Sequence, residues 1–188
     1  NAPVDRDAIE KLPHSLRVLM TLDAVGGVWR HAMELARPLR RLGVSVVFAG
    51  LGPRPSPTAM AEAQALGELV WLDLPLDWMA PGKDVIAAVP RELERLAREE
   101  DCDLLHLNLP SQAAGLSGDI PAIVVSHSCV PTWWQAMRGD ELPGHLRWHH
   151  ELNAEGFRRA AAVVAPSFSH AEALHRCHAD RIGHGTRL

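Results

Sequence analysis

The 188-residue chain has few cysteines, no long apolar run and no excess of positive charge. Its three cysteines, Cys102, Cys129 and Cys177, are odd in number and widely spaced, which excludes a disulfide framework and a CxxC redox pair. No segment approaches the roughly 18 uninterrupted apolar residues that a membrane-spanning helix needs. Nineteen basic against 23 acidic residues give a formal charge of −4, which argues against a general nucleic-acid binder. We therefore expect a cytoplasmic protein that binds no nucleic acid.

The composition is that of one soluble globular domain, with 47% hydrophobic and 22% charged residues. Residues 1–14 are charged and lack the apolar core of a signal peptide, so we assign them to an N-terminal extension or tag remnant. The domain itself is expected over residues 15–178. Residues 179–188 are assigned to a tail or to the start of an interdomain linker.

Short apolar runs alternate with amphipathic stretches along the chain. These runs are residues 16–22, 44–50, 69–74, 104–109, 122–126 and 161–165. They are mostly continuous, as expected of strands that are covered on both faces. The first amphipathic stretch carries one apolar stripe of a helix that ends at Gly43: Val28, Ala32, Leu35, Leu39 and Leu42. The pattern predicts an α/β fold, a single Rossmann-like three-layer domain with a mostly parallel sheet of about six or seven strands.

A glycine pair follows the first predicted strand. Asp23 ends this strand, and Gly26 and Gly27 lie at the start of the next helix. Ligands of parallel sheets bind beyond the carboxyl ends of strands, and glycines there let an anion such as a phosphate approach the helix amides. A tight turn without a ligand is the alternative. The loop is not GxGxxG and no acidic residue ends the second strand, which excludes an NAD site; no Walker lysine is present either.

Polar residues also end the fourth and fifth predicted strands. His106 and Asn108 share one face of the fourth strand, and Ser126 and His127 end the fifth. An imidazole at this edge can hydrogen-bond a sugar hydroxyl or a phosphate and can titrate near neutral pH. We favour a functional role for His127. For His106, a core position with both ring nitrogens satisfied is the alternative.

An irregular excursion is predicted over residues 128–146, which contain Trp133 and Trp134. Two adjacent tryptophans in a loop can stack on a sugar ring or an aromatic ligand, or they can pack as a lid onto the core. A helix is predicted over residues 146–159, with His149 and His150 as surface or packing residues.

The C-terminal part of the chain is rich in histidine. The spacings fit no closed zinc site, so we expect no metal: the residues are His170, His175, Cys177, His178 and His184. Ser169 and Glu172 are spaced as a capping box and are predicted to begin a helix.

Taken in order, these motifs resemble the amino-terminal half of a family 4 glycosyltransferase with the two-domain GT-B fold. The resemblance covers residues 15–178. It rests on residues 16–22 with the following Gly26-Gly27-Val28, on Asp103-Leu104-Leu105-His106, on Val124-Val125-Ser126-His127 and on the run from Ala161 to Ser167.

The resemblance implies an enzyme in which this domain mainly binds the acceptor, while a carboxyl-terminal domain binds a nucleotide sugar. It implies transfer with retention of configuration, with no cofactor beyond the nucleotide-sugar substrate. By position, Gly26 and Gly27 would face the donor diphosphate, and His127 would be the catalytic residue beside the transferred sugar. The acceptor would be bound by Asp23, His106, Asn108, Ser126, Trp133 and Trp134.

The family's second domain does not occur within these 188 residues. We therefore expect this fragment to be inactive alone and to need that C-terminal donor-binding domain as a partner, together with a nucleotide sugar and an acceptor. Peripheral membrane association of the full enzyme and a homodimer are further expectations. A stand-alone Rossmann-like module that binds a small anionic ligand without catalysis is the alternative. Half of a nucleotide-sugar epimerase is a third hypothesis.

Overall fold

The computed structural model describes residues 15–178, so the predictions for residues 1–14 and 179–188 lie outside it. Its strands are β1 (Arg17–Asp23), β2 (Ser45–Leu51), β3 (Glu68–Trp71), β4 (Leu104–Leu107), β5 (Ala122–Val125) and β6 (Ala162–Val164). Its α-helices are α1 (Val28–Arg41), α2 (Pro57–Gln64), α3 (Lys83–Ile86), α4 (Val89–Glu99), α5 (Val130–Arg138), α6 (Arg147–Arg159) and α7 (Phe168–His178). Short 3₁₀ turns are formed by Asp77–Met79, Pro110–Ala113 and Gly144–Leu146.

All six strands join one parallel sheet in the order β3-β2-β1-β4-β5-β6. This confirms the predicted single α/β domain with a parallel sheet. The strand order reverses between β1 and β4, so the connections that leave these two strands run in opposite directions. A crevice is expected at this point, beyond the carboxyl ends of β1 and β4.

Helices cover both faces of the sheet, as predicted. Successive residues of β1 point to opposite faces, which places Met20 with Met33 of α1 on one side. Leu19 packs on the other side in the cluster that contains Leu93 of α4 and Phe157 of α6. These side chains are at most 4% exposed. The sheet is therefore the middle of three layers and has an apolar core on each side.

The first helix follows its predicted stripe. It begins at Val28 and ends at Arg41, and Gly43 follows with φ of +80°. This left-handed conformation is strained for other residues, which explains the glycine just beyond the helix.

The irregular excursion predicted over residues 128–146 is wrong in part, because α5 occupies Val130–Arg138. Pro131 lies in the first turn, where a missing amide costs nothing, and Thr132 Oγ1 accepts a hydrogen bond from the Cys129 amide at 3.2 Å. At this position a proline favours a helix start. The tryptophan pair therefore lies on a helix rather than in a loop.

The capping box predicted at Ser169 and Glu172 is also wrong. Helix α7 begins at Phe168, and it is Ser167 whose hydroxyl accepts a hydrogen bond from the His170 amide at 3.2 Å. The helix therefore begins before Ser169, and a serine two residues upstream has the capping role.

Helix α6 approaches the turn after β4 very closely. A Cβ atom added to Gly156 would lie 1.8 Å from the carbonyl oxygen of Pro110. Only glycine fits at this position. The contact fixes α6 against the Pro110–Ala113 turn and thereby sets where the beginning of α6 lies relative to β4.

Candidate active site

A cavity of about 670 Å³ lies beyond the carboxyl ends of the strands, at the end of the sheet that we call the carboxyl edge. Its walls come from the β1–α1 loop, the Asp77–Met79 turn, the end of β4, the segment after β5 and helices α5 and α6. Seven of the nine predicted site residues line it: Asp23, Gly26, Gly27, Asn108, His127, Trp133 and Trp134. The tertiary structure thus brings together residues from four separate parts of the sequence.

Hydrogen bonds to Asp23 shape the glycine loop. Its Oδ1 atom accepts from the amides of Val25, at 2.9 Å, and Gly26, at 3.2 Å. The carboxylate holds the loop, and the Gly26 amide is already used within it. Asp23 is only 4% exposed, and these two hydrogen bonds join it to its own loop.

The beginning of α1 is open toward the cavity. Gly27 is the N-cap residue, and no side chain caps the helix. A Cβ atom at Gly26 or Gly27 would meet nothing within 4 Å, and neither residue has a positive φ. Packing therefore does not require these glycines. Their effect is to leave space in front of the first-turn amides, where the helix dipole favours an anion.

A chain of hydrogen bonds fixes the protonation of His127. The Nδ2 atom of Asn108 donates to the Thr21 carbonyl oxygen at 2.6 Å, so the Oδ1 atom of Asn108 faces His127. This oxygen can only accept, and it lies 2.8 Å from His127 Nε2. The proton of a neutral His127 ring is therefore on Nε2, which leaves Nδ1 as a hydrogen-bond acceptor.

The amide of Asn108 is itself held in place. Its backbone N–H donates to the Thr21 hydroxyl at 2.8 Å, and this hydroxyl donates to Gln112 Oε1 at 2.8 Å. Asn108, Thr21 and Gln112 are all at most 4% exposed. Buried, satisfied networks of this kind are rigid, so the orientation of His127 is set in advance.

Two further imidazoles surround His127. The His31 ring lies 4.5 Å from the His127 ring in an edge-to-face arrangement, and the His106 ring lies 6.0 Å from that of His31. Burial, and then the neighbouring His31, lower the pKa of His106 and of His127 to about 4. Burial also lowers the pKa of His31. All three rings are therefore neutral at pH 7.

Two predicted acceptor-binding residues, His106 and Ser126, are not among the residues that line the cavity. His106 lies within β4 and is 9% exposed. Ser126 is fully buried, and its hydroxyl lies 3.0 Å from Nε2 of His170. Both side chains support the wall from behind.

Four residues near the site are not predicted from the sequence to belong to it: His31, Asp77, Trp78 and His149. Asp77 and Trp78 follow β3, and the rule that ligands lie beyond strand ends would have found them. His149 was predicted to be a surface or packing residue. It does pack, with its ring centroid 3.6 Å from that of Trp148, but it also lines the cavity.

Of the C-terminal histidines, His178 packs within the protein, His175 is exposed and His184 lies outside the described residues. The ring of His178 lies 4.5 Å from that of His150 and 5.1 Å from that of Phe157, and burial lowers the pKa of His178 to about 4. Within residues 15–178, no group of three His, Cys, Asp or Glu side chains is placed to hold a metal ion. No helix in this range has the length and apolar character needed to cross a membrane.

Solved structures share this fold. A glycosyltransferase from Rickettsia africae has a TM-score of 0.58 and 16% identity, with 90% of this chain and 42% of that one covered. UGT71G1 from Medicago truncatula, complexed with UDP-glucose, has a TM-score of 0.56 and 13% identity, with 89% and 50% covered. A putative UDP-N-acetylglucosamine 2-epimerase from Listeria monocytogenes has a TM-score of 0.53 and 11% identity, with 87% and 42% covered.

The chain thus spans about half the length of these structures, and it corresponds to the amino-terminal half of the GT-B glycosyltransferase fold. By sequence comparison, no curated protein matches the chain at a significant level. The family model described as Glycosyltransferase Family 4 matches residues 25–183, and the chain therefore belongs to that family.

Proposed function

We propose that this chain is the acceptor-side half of a glycosyltransferase that moves a sugar from a nucleotide-sugar donor to a hydroxyl group with retention of configuration. The observation that carries the proposal is that Gly27, at the open end of α1, and His127 line one cavity. This cavity lies where the strand order reverses, which is the usual ligand position in such sheets.

The donor diphosphate would lie against the first turn of α1. UDP-glucose is bound by the Medicago truncatula relative, and UDP is therefore the nucleotide to test first. Within residues 15–178, no lysine or arginine lines the cavity. The helix dipole contributes only about 0.3–1 kcal/mol, so tight binding of a diphosphate needs cationic groups from a second domain. For this reason we expect the chain alone to be inactive.

His127 would act in its neutral form. Its Nε2–H is held by Asn108, and its Nδ1 lone pair would accept a hydrogen bond from a hydroxyl group of the transferred sugar. A positioned, desolvated acceptor of this kind stabilises a transition state because it needs no reorganisation during the reaction. The acceptor would lie along Asn108, Trp133 and Trp134, with His106 and Ser126 behind the wall. The proposal needs no cofactor besides the nucleotide sugar.

Two measurements test this function. In the polypeptide that also contains the donor domain, His127→Ala should lower kcat by about 100-fold, while His145→Ala, an exposed residue outside the cavity, should leave it unchanged. In the 188-residue chain, UDP should shift the amide resonances of Gly27 and Val28 only at millimolar concentrations. Full activity of His127→Ala would contradict the assignment.

The binding-module hypothesis makes a different prediction. A module for a small anion should bind UDP at micromolar concentration without any second domain, and the gene should end soon after residue 188. The described part of the chain places no basic side chain at the cavity, which disfavours this hypothesis. The epimerase hypothesis predicts hydrolysis or epimerisation of UDP-N-acetylglucosamine without any acceptor. The cytoplasmic location, the peripheral membrane association and the homodimer stay predictions about the whole protein.

A further inference from the structure

The side chains that line the cavity give it a net negative charge. Among the described residues that line it, only Asp23 and Asp77 carry a formal charge at pH 7. Asp23 already accepts hydrogen bonds from the loop amides of Val25 and Gly26. Both carboxylates use Oδ1 for backbone amides of their own segment, and Asp77 is the one close enough to His149 to affect the pKa of that ring.

Asp77 lies in the 3₁₀ turn after β3 and is 6% exposed. Its Oδ1 atom accepts a hydrogen bond from the Trp78 amide at 2.6 Å. Within residues 15–178, Oδ2 has no hydrogen bond and no basic side chain forms an ion pair with Asp77. Oδ2 keeps accessible surface, so it is open to a cationic ligand, which would supply the missing counterion.

A second polar group at the same cavity is incompletely satisfied. His149 of α6 is 3% exposed and lines the cavity; its Nδ1 atom is fully buried, whereas its Nε2 atom keeps accessible surface and has no hydrogen-bond partner in the described chain, so Nε2 is the nitrogen that a ligand can reach. Burial lowers the pKa of His149, and this outweighs the opposite effect of the Asp77 carboxylate. The ring is therefore neutral at pH 7. A neutral ring nitrogen can accept a hydrogen bond without repelling a cation.

Indole rings complete this part of the cavity. Trp78 and Trp133 line it and are 45% and 49% exposed. Such faces stack on ring-shaped ligands and attract cations. Arg138 already lies over the Trp134 ring, 5.7 Å from its centroid, but it is not among the residues that line the cavity.

We propose that Asp77, His149, Trp78 and Trp133 form a subsite for an acceptor that carries a protonated amine on a ring-shaped body. An ammonium group has three donors and no acceptor, which suits a carboxylate oxygen and an imidazole nitrogen that both lack partners. An anionic acceptor at this subsite would be repelled by Asp77 and would bind more weakly than an amine. The inference rests on the proposed function, because it names the substrate class of the same site.

Three probes of nearly equal size and different charge test the subsite: benzylamine, benzyl alcohol and benzoate. Each is titrated into the isotope-labelled 188-residue chain at pH 7.5, with the indole N–H resonances of Trp78 and Trp133 as the readout. We expect benzylamine to bind at least about 10-fold more tightly than benzyl alcohol, as a charged hydrogen bond would give, and benzoate not to bind.

Two variants assign the preference to its source. Asp77→Asn should abolish the advantage of benzylamine over benzyl alcohol and leave benzyl alcohol binding unchanged. Asp73→Asn is the matched control, since Asp73 lies on the same segment but is exposed and outside the cavity, and it should keep the full preference. Equal binding of the amine and the alcohol by the unaltered chain would overturn the proposal even if Asp77→Asn does not fold. A preference that survives in a folded Asp77→Asn would overturn it as well.

UDP titrations of the same samples distinguish a failure of the amine subsite from a failure of the proposed function. Shifts at Gly27 with UDP, without any preference for the amine, would remove the amine subsite and leave the glycosyltransferase proposal intact. An amine preference without any UDP response would instead count against the proposed donor position.

Discussion

Polar groups are paired to different extents at the two ends of the sheet, which are the amino edge, where the strands begin, and the carboxyl edge, where they end. At the amino edge, the Arg17 guanidinium lies 3.0 Å from Glu68 and 2.8 Å from Glu100. At the carboxyl edge, His31 Nε2 and His106 Nδ1 are buried without hydrogen-bond partners in the described chain. Arg17 at the amino edge is thus paired within the protein, whereas these two imidazoles at the carboxyl edge keep unused hydrogen-bonding capacity. This difference agrees with the ligand site that we propose at the carboxyl edge.

The largest effect expected from this difference is a loss of stability at mildly acidic pH. Burial lowers the pKa of His106 and of His127 from 6.5 to about 4, so below pH 6.5 the unfolded chain binds more protons than the folded one. Stability should therefore fall as the pH drops from 6.5 toward 4, by up to about 1.4 kcal/mol per pH unit for each histidine. Urea unfolding between pH 7.5 and 5 measures this slope.

Two variants test whether the histidines at the carboxyl edge cause this pH dependence of stability. His106→Asn removes one of the titrating groups and should flatten the dependence, while Arg17→Met should leave the slope as it is. A stability that does not change between pH 7.5 and 5 would show that the histidines of the carboxyl edge are not desolvated.

The second largest effect is expected at Gly156 of α6, where this helix packs closely against the turn after β4. Gly156→Ala places a methyl group 1.8 Å from the Pro110 carbonyl oxygen, which must move because it belongs to the backbone. We expect a loss of about 2–3 kcal/mol in the free energy of unfolding. Gly144→Ala, where nothing lies within 4 Å of the added atom, should change it by less than about 0.5 kcal/mol. Thermal unfolding of both variants gives the comparison, and equal stabilities would refute the close approach.

A smaller effect is expected at the amino edge. Arg17→Met removes two ion pairs that are only partly buried, so we expect a loss of about 1 kcal/mol, reduced by added salt. The control Arg54→Met breaks a 3.4 Å pair with Asp73, whose side chain is 89% exposed, and should cost almost nothing. If Arg17→Met destabilised the protein more than Gly156→Ala, ion pairing rather than packing would dominate its stability.

The sequence predicted the sheet well because each strand is a short, continuous apolar run. It predicted the site less completely. The sequence predicts the tryptophan pair in an irregular segment, yet Pro131 lies in the first turn of α5 and Gly139 directly follows its end, positions that both residues favour. His149 was assigned to packing, since its position in α6 does not reveal that this part of the helix faces the cavity.

The amino-acid sequence by itself determined the alternation of strands and helices, the glycine pair before α1 and the polar residues at the strand ends. These features follow from local periodicity and backbone preferences, which act over a few residues. Only the tertiary structure decided that Asp77 and His149 share a cavity with His127, and that Asn108 fixes the His127 proton. These relations join residues far apart in the chain, and the packing of helices on the sheet sets their distances.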